Sequence, residues 1–152
     1  MLNSFDEESV VEALSNSILG LREKLEEERF CMLAVDCHPW DGILEISLLT
    51  EVEKDKDLLL YDVDEMAAWK YFQVSRESSE RVGLDAISKS IKTLYSGSMD
   101  KVGSVDFIFD TIAKAVGSDN FEATLRSVLG SDGIKISVAN PDNGKEYFSP
   151  RG

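Results

Sequence analysis

The sequence predicts an α+β fold, a mainly antiparallel sheet with a central hairpin packed against about five helices, and three observations carry that prediction. Residues 30 to 35 (FCMLAV) are apolar at every position, as in a strand covered on both faces. After the turn residues His38-Pro39-Trp40-Asp41-Gly42, the run Ile43 to Thr50 alternates in part, with Leu44, Ile46 and Leu48 on one face and Ile43, Glu45, Ser47 and Leu49 on the other. Before and after this hairpin, apolar residues recur at spacings of three and four, the period of helices with one buried stripe. A chain of 152 residues reads as one domain, residues 1 to 152, and at that size folding buries about 68–70% of the unfolded chain's surface.

In chain order, Ser4 to Glu7 has the spacing of a capping box. Val11, Leu14, Ile18, Leu21 and Leu25 then form a stripe that predicts one continuous helix against the sheet. Glu51 to Asp57 (EVEKDKD) is too charged to bury and reads as a solvated connection. Leu58 to Tyr61 is a candidate third strand. Met66 to about Val74 is expected to be a helix anchored by Trp69 and Phe72, with Trp69 as a core plug. Helices are also expected over Val82 to Tyr95, Ser104 to Val116, and Asp119 through Leu129, each followed by a Gly. Residues 96 to 104 read as a loop within the domain. Ile134 to Val138, the turn Asn140 to Gly144, and Lys145 to Phe148 predict a terminal hairpin.

Charge is distributed unevenly. Residues 1 to 65 hold 18 acids and 5 bases, a net of −13, while residues 66 to 152 hold 11 of each. Such a field repels phosphate and anionic lipid, which argues against nucleic acid and membrane as partners and favours a basic one. The plainer reading is that acidity keeps the protein soluble. The N-terminus lacks the basic region of a signal peptide and no stretch is apolar for the ~20 residues that span a bilayer, so a cytoplasmic protein is expected. Cys31 and Cys37 would share a strand face about 20 Å apart at ~3.3 Å per residue, too far for a disulfide, and read as free thiols.

The sequence has no Gly-rich phosphate loop, Cys-x-x-Cys, Gly-x-Ser-x-Gly or His-x-x-x-His, and no cofactor or metal is expected. Its densest cluster of chemically able residues is Asp36-Cys37-His38-Pro39-Trp40-Asp41. This could form an enzyme's loop site around Asp36, His38 and Asp41. The simpler reading is a turn in which His38 and Asp41 cap backbone groups and Trp40 folds over the sheet edge.

The amphipathic first helix, the aromatic-led strand Phe30 to Asp36, the Pro/Gly turn, the second strand closing on Leu49-Thr50-Glu51, and the run Asp64 to Phe72 together resemble an uncharacterised bacterial domain family. Members of that family occur near polymorphic-toxin systems and are suspected immunity proteins. The resemblance covers residues 5 to 75, with Trp69-Lys70-Tyr71-Phe72 on a helix as its most specific element. It implies a binding protein and brings no catalytic residues.

The expected function is therefore that of a small acidic binding protein, immunity-like, that engages a basic protein partner. Its candidate contact residues are Glu23, Glu26, Glu27, Glu28, Trp40 and Asp41. The alternatives are the loop-site enzyme and a self-associating structural or regulatory module.

Overall fold

Strands β1 (Phe30–His38) and β2 (Ile43–Thr50) pair antiparallel, from Phe30 opposite Thr50 to His38 opposite Ile43. They are the hairpin expected from the sequence. The structure, a computed structural model, describes residues 5–130 and 133–149. A single 3-10 turn, Pro39–Asp41, joins the strands, and Gly42 closes it in the left-handed region at φ 66° with its N–H on the Pro39 carbonyl. A side chain at Gly42 would be strained there and would meet Lys92 at 2.9 Å.

The sheet is mainly antiparallel, as expected, but mixed rather than purely so. Strand β3 (Lys135–Ser137) lies parallel to β1 on its other side, giving the order β2-β1-β3. The terminal hairpin shrinks to one antiparallel bridge, Ala139 with Glu146. A local pattern cannot reveal a partner roughly 100 residues away, and the pairing back around the turn, Tyr147 N–H on the Val138 carbonyl and Asn140 N–H on the Lys145 carbonyl, begins only after β3.

Leu44, Ile46 and Leu48, with Leu33, Val35 and Cys37 of β1, are buried against the helices. Those helices are α1 (Glu7–Leu19), α4 (Val82–Gly97), α5 (Lys101–Val116) and α6 (Asp119–Leu129), with α1 touching the other three. Two short helices, α2 (Arg22–Leu25) and α3 (Glu51–Lys56), complete six α-helices among the described residues. Asp6 caps α1 by accepting the Ser9 N–H at 2.8 Å, and Ser4 of the expected capping box lies outside the described residues.

The expected first helix breaks at Gly20, although its stripe stays buried through Leu25. The Ser79 N–H donates to the Gly20 carbonyl and the Ser78 hydroxyl to the Ser17 carbonyl. A Cβ at Gly20 would sit 2.2 Å from the Ser78 hydroxyl. The crossing chain therefore takes the carbonyls that a continuous helix would use. Residues 51 to 56 form a helix because Thr50 and Glu53 build a reciprocal capping box. Likewise α5 begins before Ser104, since Asp100 accepts the Gly103 N–H at 2.9 Å, which leaves a connection of three residues after α4.

Residues 58 to 77 depart most from expectation. Leu58–Leu60 is a 3-10 turn and not a strand, initiated by Asp57 accepting the Leu59 N–H. The expected helix over 66 to 74 is absent: Val63–Ala68 is 3-10, Trp69 is extended, Tyr71 bridges Leu48 on the free edge of β2, and Val74–Glu77 is again 3-10. Pairing with β2 overrides helical propensity here, because an open sheet edge needs its backbone groups satisfied. The Leu48 N–H reaches the Tyr71 carbonyl and the Ile46 N–H reaches the Ser75 hydroxyl at 2.7 Å. Trp69 is buried as a core plug, its indole N–H on the Leu60 carbonyl at 2.8 Å.

A register shift between Phe30 and Met32 corrects the expectation that the cysteines share a face. Cys37 is buried in the helix-side core, whereas Cys31 packs with Met32, Ala34, Leu49 and Trp69 on the opposite side. Both thiols are free.

Candidate functional site

The second face of the hairpin presents Asp36 and Glu45 directly opposite one another across β1 and β2. Two carboxylates so placed, only 5% and 4% exposed, must be compensated or the fold would carry their repulsion and desolvation. They are compensated differently. Glu45 receives both terminal nitrogens of Arg81, at 2.8 and 2.9 Å, the Ser75 hydroxyl at 2.6 Å, and Arg76 Nε at 3.7 Å. This is a fork on a carboxylate, the strongest form of such a pair. Asp36 receives the Gln73 side-chain amide at 2.6 Å and His38 Nε2 at 2.8 Å. Among the described residues no Lys or Arg pairs with it.

Gln73 holds this network in place. It has φ 49°, a left-handed conformation unusual for a side-chain-bearing residue. Its N–H donates to the Ser47 hydroxyl at 2.8 Å, and its side-chain oxygen accepts from Arg76 Nε at 2.7 Å. The network thus runs from His38 through Asp36, Gln73 and Arg76 to Glu45 and Arg81.

Beside Asp36 opens a cavity of about 490 Å³. Its lining comes from Asp36 and His38 of β1, from Val63, Asp64 and Met66 of the 3-10 segment, from Phe72, and from the turn at residues 139–144. A second cavity of about 250 Å³ lies beyond that turn, lined in part by Trp40, Tyr95 and Tyr147.

The expected contact residues divide into two groups. Glu23, Glu26 and Glu27 are exposed and Glu28 is half-buried, all at the Phe30 end of β1. Glu28 accepts from Lys70 Nζ at 3.1 Å. A hydrogen bond from Tyr71 holds its carboxyl below the usual range, with Lys70 adding to the effect against burial. Trp40 and Asp41 sit at the opposite end of β1, roughly 30 Å away at ~3.3 Å per residue. Trp40 is half-buried, edge-on to His38 and Tyr95 at 5.7 and 6.3 Å between ring centres. Of the conceivable loop trio, Asp36 and His38 meet, whereas Asp41 is exposed and lines neither of these cavities.

At the Phe30 end the acidic segments do meet. The Glu51 N–H donates to the Arg29 carbonyl at 2.9 Å, and the Lys70 N–H donates to Glu53 at 2.7 Å while its Nζ reaches Glu28. Lys70 therefore ties the turn carrying Glu26 to Glu28 to helix α3. Val52, Leu58 and Leu59 stand among these acids at 55%, 71% and 77% exposure.

The sequence reading missed Glu45, Gln73, Ser75 and Arg81. One signal was present: Asp36 and Glu45 each interrupt an otherwise apolar strand, and a charge in such a position calls for a partner. Among the described residues no group of three His, Cys, Asp or Glu side chains is placed to hold a metal ion, and no helix is long and apolar enough to cross a membrane. No protein-family model, curated protein or solved structure matches the chain.

Proposed function

We propose that this protein is a binding protein whose acidic end, built from the turn at residues 26–28, helix α3 and the 3-10 turn Leu58–Leu60 that follows it, receives a basic surface of a protein partner. The observation that carries the reading is the junction at Lys70, which joins acids distant in sequence into one end of the molecule. Exposed Val52, Leu58 and Leu59 supply the apolar contacts that a charged rim alone lacks. Opposite charge steers encounter and speeds association, so the partner is basic. The resemblance over residues 5 to 75 narrows it to a toxin, with this chain as its immunity-like antagonist.

The test is binding to a synthetic amphipathic helix of Lys and Leu, against a Glu and Leu counterpart. Reversing the exposed residues Glu26, Glu27 and Asp55 to Lys should slow association by roughly tenfold or more at low salt, and salt should slow the parent protein similarly. Reversing Glu12, Asp110 and Glu122, exposed elsewhere, should change the rate far less. Equal slowing in both triple variants would mean that only net charge matters and would sink the reading. A stoichiometric complex with the product of an adjacent toxin gene would support the narrower reading, and a metabolic gene neighbourhood would remove its support.

A further inference from the structure

We propose that the cavity beside Asp36 is a binding site for an organic cation on an apolar stem, an ammonium or guanidinium group, either free or carried as the lysine or arginine side chain of another protein. The inference concerns a cavity and not the acidic end, and it stands or falls without the basic-partner reading.

The first argument is the unequal treatment of two equivalent carboxylates. Asp36 and Glu45 are cross-strand neighbours of nearly equal burial, and a buried carboxylate is tolerated when a cation and hydrogen bonds replace its water. Glu45 has two guanidinium groups. Asp36 has a neutral amide and an imidazole, which is charged only when protonated. Among the described residues the fold supplies two permanent cations to Glu45 and none to Asp36, on the side where the cavity opens.

The second argument is the lining. It contains two carboxylates, Asp36 and Asp64, and neither Lys nor Arg. The Asp64 side chain makes no hydrogen bond or ion pair among the described residues, so its charge is free to meet a ligand. The rest is mostly apolar, with Val63, Met66 and Phe72 forming a wall along which a methylene chain would lie. A ring face and a thioether beside carboxylates suit a cation on a hydrocarbon stem. A cavity of about 490 Å³ is within the size range of small-molecule sites, which pair an apolar wall with a few fixed polar groups.

The third argument is rigidity. Asp36 is fixed by Gln73, itself held by Ser47 and Arg76. A carboxylate locked in this way is in position before the ligand arrives and loses little freedom on binding.

The experiment is titration of the isotopically labelled protein with n-hexylguanidinium and n-hexylammonium chloride, with n-hexanol and hexanoate as controls, read by backbone amide shifts. The cations should perturb residues 63 to 66, 72 and 139 to 144, and hexanoate should not. Asp36→Asn and Asp64→Asn should each weaken the cations roughly tenfold or more, the scale of a lost charge-assisted contact, while Asp110→Asn leaves them unchanged. Should Asp36→Asn fail to fold, Asp64→Asn decides, since the Asp64 side chain holds no contact in the fold. Hexanol binding as tightly as the cations, or Asp64→Asn binding them unchanged, overturns the proposal. A capped Ala-Arg-Ala peptide binding more tightly than hexylguanidinium, with the same shifts, assigns the site to a partner's side chain. The reverse order assigns it to a free cation.

Discussion

The two faces of the β1–β2 hairpin are both out of water, yet they are closed by different physics. On the helix side Leu33, Val35, Cys37, Leu44, Ile46 and Leu48 meet α1, α4, α5 and α6 through apolar area alone. On the other side Met32, Ala34, Leu49 and Trp69 form a small apolar cluster at one end, and Asp36, Glu45 and Ser47 enter a directional network toward the other. Apolar burial contributes most of the stability but is indifferent to orientation. Fork and amide bonds contribute less net energy and tolerate only one arrangement. The first face holds the fold together; the second fixes where the 58–77 segment lies and leaves a cavity beside it.

That contrast can be broken at either face. Ile46→Ala, on the apolar side, should cost on the order of 2–5 kcal/mol, a large part of a typical ~5–15 kcal/mol total, and Leu33→Ala should do the same. Both read out as a lower urea midpoint, and unchanged midpoints would show that the helix-side face is not the main store of stability. On the polar side, Arg81→Ala leaves buried Glu45 with only Ser75 and the more distant Arg76, and should cost about 3 kcal/mol. Arg81→Lys should recover only part of it, since an ammonium cannot reproduce the two-pronged contact; full recovery would mean that charge alone matters there.

The smallest effect sharpens the comparison without altering stability. Burial pushes the Cys37 thiol well above its ordinary range, with neighbouring Asp36 adding to it, and burial also raises Cys31, which is half-exposed on the second side. A disulfide reagent at pH 8 should therefore modify Cys31 first and Cys37 only as fast as the protein unfolds. Ile46→Ala should accelerate the second step and leave the first alone. Simultaneous modification would mean that the two sides open together.

Much of the helix-side face could be read from sequence because it follows local periodicity. Strands 30–38 and 43–50, the facing of Leu44, Ile46 and Leu48, and the helices near 82–97 and 119–129 were all expected from spacing and Gly stops. The second face was not legible, since its determinants are pairings between distant segments. Met66 to Val74 has helical composition, yet Tyr71 is drawn to the edge of β2. The helix breaks at Gly20 beneath a continuous stripe because Ser79 and Ser78 take the Gly20 and Ser17 carbonyls. For the site, the simpler reading of His38 and Asp41 as caps of backbone groups does not hold, since His38 pairs with Asp36 and Asp41 belongs to solvent, and Glu45, the true opposite number of Asp36, was visible only as an odd charge in a strand.

The parallel pairing of β3 with β1 bears on how the chain folds as it is made. Met32 finds Lys135 only after the whole helical half has been synthesised. At ~5–20 residues per second, the roughly 100 intervening residues occupy about 5–20 s of translation. During that interval the nascent hairpin emerges with one side of β1 unpaired and its Leu33, Val35 and Cys37 surface still waiting for α4, α5 and α6, a template for any other extended chain nearby. Closing so long a loop is also slow relative to helix formation. The ribosome-bound intermediate, rather than the finished protein, is therefore where aggregation competes most strongly, and synonymous changes that alter translation speed between codons 50 and 135 should affect soluble yield more than those after it.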